Sequence, residues 1–260
     1  MVRAIARPGL TTENASVEEA VAAMREHVPA LRDALVALLT DAATLGAKTG
    51  LAQVERILGV KGGPGPSEGK PAEIQLTNWD LVNQAVLRWI LGDAPGLGRG
   101  YADGVVISLV RTREEHIRTA MAEWIQNGLP RTALVEMLTE PLLSRDRAEM
   151  VAATEATRAY SQGNIEAWRA SGVVTGMEWR TANDEDVCPI CAPLGGLGFG
   201  EDGADPTSLA QQDRRAVSTS LDGEFTHPGG RGAAGNFEGQ TFGPPPAHPR
   251  CRCWPVPVVE

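Results

Sequence analysis

The chain has 260 residues, 42% of them hydrophobic, and a formal net charge of −9. That length supports one large or two modest domains with real cores. The acidic balance argues against a duplex-binding surface, which needs clustered Lys and Arg, and no apolar run approaches the length of a membrane span.

The first stretch, Met1 to Pro8, lacks the continuous apolar segment of a secretion signal. The chain is therefore expected in a cytosol, where thiols stay reduced. Between Val17 and Leu45 the residues Val17, Val21, Met24, Val28, Leu31, Leu35, Leu38, Ala42 and Leu45 follow in alternating steps of four and three. The spacing predicts a long helix with a heptad-like stripe. Ser16, with Glu19 three residues on, forms a capping box at its start, and Pro29 should kink or split it. Such a stripe serves either the core of its own domain or a seam for a partner helix or a second copy.

A shorter helix is expected around 51–58. Lys61 to Pro71 is dense in Gly and Pro and reads as a linker, about 61–72. Asn78 can cap a helix with Trp79, Val82, Val86, Trp89 and Ile90 on one face, ended by the Gly92 to Gly98 run. The next helix should span about Gly100 to Asn127, with Val106, Val110, Ile117, Met121 and Trp124 in phase and Gly128 as its left-handed stop. Thr132 to Leu138 predicts one or two turns ending near Pro141, and Ser144 caps a long helix to about Ala170, closed by Gly172.

After Gly172 the character changes. Val173–Thr175 and Met177–Thr181 read as short extended segments, and the remainder is rich in Gly and Pro. The expected fold class is α+β. A helical domain covers 1–172, and a small loop-rich module covers 173–260. A unit with so thin a core is marginal alone, and a metal clip is the usual remedy.

All four cysteines lie in that module, as Cys188-x-x-Cys191 and Cys251-x-Cys253, with His248 three residues ahead of the second pair. Five candidate ligands of this softness suit zinc better than magnesium or calcium. The expected set is Cys188, Cys191 and two of His248, Cys251 and Cys253. A Cys-x-Cys pair can seldom close on itself as a disulfide, and the alternative to zinc is one or two disulfides or free thiols. His227, in Thr226-His227-Pro228, is a weaker substitute. Asp184, Glu185 and Asp186 read as a turn before the first cysteine, in preference to a general base beside the metal. Glu155 reads, in preference to a catalytic carboxylate, as the partner of an arginine, Arg158 on its own helix or Arg180, or as a cap for a neighbouring loop. No nucleophile elbow, phosphate-binding loop or His-Glu-x-x-His helix is present in the sequence. No catalytic and no cofactor-binding residues are expected.

The same stretch resembles the phage head morphogenesis family, the Mu F-like minor head proteins. The resemblance rests on Trp179-x-Thr181, the acidic run into Cys188-x-x-Cys191, Leu194-Gly195-Gly196, and Pro245-Pro246-x-His248-Pro249-x-Cys251-Arg252-Cys253. Thr154-Glu155 matches the family's Arg-Thr-Glu element. Ala153 stands where the family usually has Arg, as does Asp186, which removes whatever ion pairs those arginines would make. The resemblance implies a non-enzymatic structural protein of a tailed bacteriophage. It would be present in few copies at the portal vertex and act in capsid assembly or in genome packaging or ejection. Its implied partners are the portal protein, the major capsid or scaffolding protein, and a second copy through helix 17–45. No membrane or sequence-specific nucleic acid is among them. Its implied location is the virion head, with the host cytoplasm during assembly. The competing class is a zinc-dependent hydrolase or transferase carried in the head. An open metal position beside a carboxylate would distinguish it.

Overall fold

The computed structural model describes residues 5–6, 8–9, 11, 15–59, 79–92, 100–182, 187–188, 190–196, 216–229 and 237–259. The expected linker at 61–72, the Asn78 cap, the acidic run at 184–186 and Pro189 lie outside them. Among the described residues the long helices are α1 (Val17–Arg25), α2 (Val28–Ile57), α3 (Trp79–Leu91), α4 (Tyr101–Gln126), α5 (Arg131–Leu143) and α6 (Arg145–Ser171). There follow β1 (Gly176–Arg180), the single turn α7 (Cys191–Leu194), β2 (Ser218–Ser220), β3 (Phe225–Thr226), β4 (Thr241–Phe242) and β5 (Trp254–Val258). The fold is α+β, mostly helical first and strand-containing at its C-terminal end.

The caps explain where the helices start. Ser16 Oγ accepts from the Glu19 N–H at 3.2 Å, and Ser144 Oγ accepts from the Arg147 N–H at 3.3 Å. Gly128 and Gly172 stop α4 and α6 at φ of 57° and 69°. The predicted 17–45 helix is split, and the break falls at Glu26–His27 rather than on the proline. Pro29 sits in the first turn of α2, where its missing N–H has no intrahelical partner to lose. The expected separate helix at 51–58 is the end of α2, which continues through Gly46 and Gly50 for 30 residues. α5 likewise runs beyond its expected end, to Leu143, with Pro141 in its last turn. A proline disfavours the helical region before it without forbidding it.

The chain packs as two units. The first comprises residues 1–38 and 88–151, the second 39–87 and 152–260. Residue 172, where the composition changes, lies inside the second.

In the first unit, Val21 and Met24 of α1 bury against Ile117, Met121 and Trp124 of α4 and Leu134 and Leu138 of α5. Arg25–Glu114 and Arg118–Glu18 bridge α1 to α4 at 2.6 and 2.9 Å. Arg25, Glu18 and Arg118 are exposed and only Glu114 is mostly covered, so water screens both pairs.

In the second unit α2 and α6 approach closely. A Cβ at Gly46 would lie 2.0 Å from the Tyr160 carbonyl oxygen, and one at Gly163 would lie 1.9 Å from that of Ala43. Only glycine permits that approach. The Trp168 indole N–H then donates to the Gly50 carbonyl at 3.2 Å. The buried face of α2 here is Leu39, Ala43, Ala47, Leu51 and Val54. It has drifted off the predicted stripe, whose last member, Leu45, is 59% exposed. An ideal helix drifts about 20° per heptad against a seven-residue repeat, and this one turns its small residues toward α6.

One antiparallel sheet of the second unit has the order β2-β1-β5, and a second sheet pairs β3 with β4. Trp179 N–H donates to the Val217 carbonyl on the β2 side at 2.9 Å. Alternation along β1 therefore turns the Glu178 N–H toward β5. β5 then needs donors at Trp254, Val256 and Val258, and the prolines at 255 and 257 fall where an N–H would point away from the sheet. That free edge offers no donors at those positions, which blocks strand addition.

Candidate metal centre

The first pair of thiols sits on a tight knuckle. The Cys191 and Ala192 N–H groups donate to the Cys188 carbonyl at 3.1 and 3.0 Å, and Cys191 N–H also reaches Cys188 Sγ at 3.4 Å. Cys191 then opens α7. The second pair lies on the extended run into β5. Cys251 and Cys253 are both buried and Arg252 between them is exposed, as strand alternation requires. All four thiols are free.

The two halves meet. Cys188 Sγ and Cys191 Sγ lie 3.0 and 3.3 Å from His248 Nε2, and Cys191 Sγ lies 3.6 Å from Cys251 Sγ. Cys188, Cys191 and His248 form one group with ligand atoms within 4.8 Å of one another, and Cys191, Cys251 and Cys253 form another. Cys191 belongs to both. A tetrahedral zinc with ordinary bond lengths has S···S and S···N edges of about 3.8 and 3.5 Å. The observed separations are close to those. The cavity that these side chains line has a volume of about 30 Å³, room for an ion. The five expected ligands are thus brought together, and the cluster could hold a metal ion.

The protonation pattern fits that chemistry. His248 Nδ1 lies 2.8 Å from the Pro249 carbonyl, which can only accept. Nδ1 therefore carries a hydrogen, and Nε2 is the nitrogen left to face the two sulfurs, as a ligand would. Burial opposes a charge on His248, but the Pro249 carbonyl and the thiolates of Cys188 and Cys251 outweigh it and hold its pKa up. Hydrogen bonding from Cys191 holds Cys188 down to about 5. Sharing with Cys188, Cys251 and Cys253 in turn pushes Cys191 up. Cys253 is drawn down by Cys191 but pushed further the other way by Cys251 and burial, up to about 12. The sulfurs thus share hydrogen bonds among themselves, with some held toward thiolate and others toward thiol; a divalent cation would bind them as thiolates.

The Trp179 indole N–H is buried and has no hydrogen-bond partner of ordinary geometry. It is near enough to Cys253 to favour that residue's thiolate.

The remaining motif residues frame the cluster. Trp179 packs edge-on against Phe225, with ring centroids 5.1 Å apart. A Cβ on Gly195 would meet the Thr181 methyl at 2.6 Å, so the Trp-x-Thr strand and the Leu-Gly-Gly turn fit only as a pair. On α6, Thr154 Oγ1 accepts from Arg250 N–H at 3.2 Å, and Arg158 Nη2 donates to the Pro246 carbonyl at 3.4 Å. The Thr-Glu element thus helps hold the loop that carries His248. Glu155 is in neither ligand group.

His227 is not a substitute ligand. Gly229 N–H donates to its Nδ1 at 3.1 Å, and its Nε2 lies 3.2 Å from the Ile190 carbonyl. Both nitrogens are occupied. No residue pattern signals this role, because its target is a backbone carbonyl.

The family model described as phage Mu protein F like protein matches residues 115–256, more than half of the chain. Comparison with curated proteins and with solved structures gave no match.

Proposed function

The chain belongs to the phage Mu protein F like family, and from that premise we propose that it is a minor head protein of a tailed bacteriophage, with a structural zinc in its C-terminal module. The observation that carries this reading is the convergence of the family's motif residues. Thr154, Trp179, Thr181, Gly195 and the closing Pro-Pro-x-His-Pro-x-Cys run all surround one cluster of thiols and imidazole. Five donors for four tetrahedral positions favour a closed, structural site, since catalytic zinc keeps one position open. Among the described residues no carboxylate joins the ligand groups, and the acidic run at 184–186, which the alternative of a zinc hydrolase or transferase would use as its base, lies outside them.

The finer role is few copies at the portal vertex, acting in capsid assembly or in genome packaging or ejection. The partners are the portal protein, with the capsid or scaffolding protein and a second copy as further candidates. In the first unit, an apolar groove lined by Val28, Pro29, Val106, Ile107 and Val110 supports a protein contact there. Among the described residues no helix is long and apolar enough to cross a membrane. Mass spectrometry of purified particles tests the reading. It should find the protein in heads at a few copies relative to the portal, and absence from heads would overturn it.

A further inference from the structure

We propose that His227 is a positioning residue of the metal centre, locking the Cys188–Cys191 knuckle through the Ile190 carbonyl. The proposal rests on the reading that the cluster holds a metal.

His227 is 1% exposed, a titratable side chain buried far more deeply than His248. Its two partners leave one arrangement of protons. Gly229 N–H can only donate, so Nδ1 must accept, and the Ile190 carbonyl can only accept, so Nε2 must carry the hydrogen. The imidazole is therefore neutral, and its N–H points at the backbone between the two thiols.

Ile190 precedes Cys191 directly, so a bond to its carbonyl fixes the peptide plane that orients Cys191. Cys191 is the residue shared by both ligand groups. The other end of His227 is equally fixed. Its own backbone exchanges bonds with Gln240 and Gly239 at 2.8 and 2.9 Å, and its ring lies between Phe237 and Phe242 at 5.9 and 6.3 Å. The knuckle is thus braced against the paired strands β3 and β4. Pre-organised thiols lose less freedom when a metal binds, and outer groups of this kind typically change metal affinity 10- to 100-fold.

The test uses the full chain, stripped of metal and titrated with Co²⁺ against a chromogenic chelator. His227→Gln places an amide N–H about where Nε2 stands and keeps the donor to Ile190. His227→Asn places its amide near Nδ1 and loses that donor. The Asn variant should bind Co²⁺ about 10- to 100-fold more weakly with the wild-type thiolate-to-cobalt spectrum, and the Gln variant should stay within about threefold of wild type. Equal affinity for the Asn variant and wild type overturns the proposal. So does a changed ligand-field spectrum in the Asn variant, which would make His227 a ligand. If the Asn variant does not fold, the Gln variant decides, since loss of affinity there has the same adverse meaning. A wild-type chain that takes up no Co²⁺ overturns the metal reading itself, a result separate from any difference between variants.

Discussion

The backbone N–H of Arg250 donates to the hydroxyl of Thr154 at 3.2 Å across 96 residues of chain. Arg250 has φ of 61°, a left-handed conformation that a non-glycine residue adopts at a cost. The bond to α6 helps hold it there, between His248 and Cys251. Thr154→Val keeps the shape and removes the acceptor. It should cost about 1–2 kcal/mol, which for a chain of this size lowers Tm by roughly 2–6 °C. Thr154→Ser should recover most of that. A valine variant that melts with wild type in a circular-dichroism scan would show the bond to be dispensable.

Glycines in helices should separate into two kinds. Gly163 in α6 faces the Ala43 carbonyl, where a Cβ would sit 1.9 Å from the oxygen. Gly163→Ala must push α2 and α6 apart and should destabilise by about 3 kcal/mol or more. Gly104 in α4 has nothing within 4 Å of its Cβ position. Gly104→Ala should stabilise by about 0.5–1 kcal/mol through helix propensity. Urea melts of both variants check the signs, and matching signs would contradict the packing.

These contrasts show what the sequence could reveal. Caps and stops at Ser16, Ser144, Gly128 and Gly172 are local chemistry, so most helix boundaries were legible. The thiols and His248 were legible because metal geometry restricts ligand spacing. The close approach at Gly46 and Gly50 was not legible, because a glycine that admits a neighbouring backbone looks the same in sequence as one that weakens a helix. His227 and Thr154 were opaque for another reason. Each acts on backbone groups far away in sequence, and no residue pattern records the identity of a backbone partner.

A protein contact through the N-terminal part should depend on Ile107, which is 37% exposed and lines the groove of the first unit. Ile107→Asp should leave the melting curve within about 0.5 kcal/mol, as exposed substitutions do, while reducing incorporation into heads several-fold. Leu45→Asp, on the outer face of α2, serves as a second exposed apolar position. If both variants enter particles at wild-type levels, neither position contributes to the contact.

The metal itself gives the last prediction. Elemental analysis of protein made without added metal should find one zinc per chain. The four cysteines should not be equivalent. Cys191 belongs to both ligand groups, whereas Cys253 belongs to one. Cys191→Ser removes the donor that both ligand groups share, so neither group stays whole, whereas Cys253→Ser leaves the Cys188, Cys191 and His248 group intact. Cys253→Ser leaves Cys188, Cys191, His248 and Cys251, which is a complete tetrahedral set. The Cys191 variant should therefore lose its zinc, and the Cys253 variant should retain a weakened site. A metal held here would link residues 57 to 60 apart in sequence, and closing long loops stabilises most in the chain-entropy model. Loss of zinc should therefore unfold the strand-containing module and leave the helical signal largely intact. Acid acts in the same direction, because thiolate and neutral imidazole must be free of protons to bind, so zinc is held at neutral pH and released as pH falls. A strong chelator should do the same slowly, and a mild reductant should do nothing. Loss of structure on reduction with zinc still bound would mean that disulfides, not the metal, close the module.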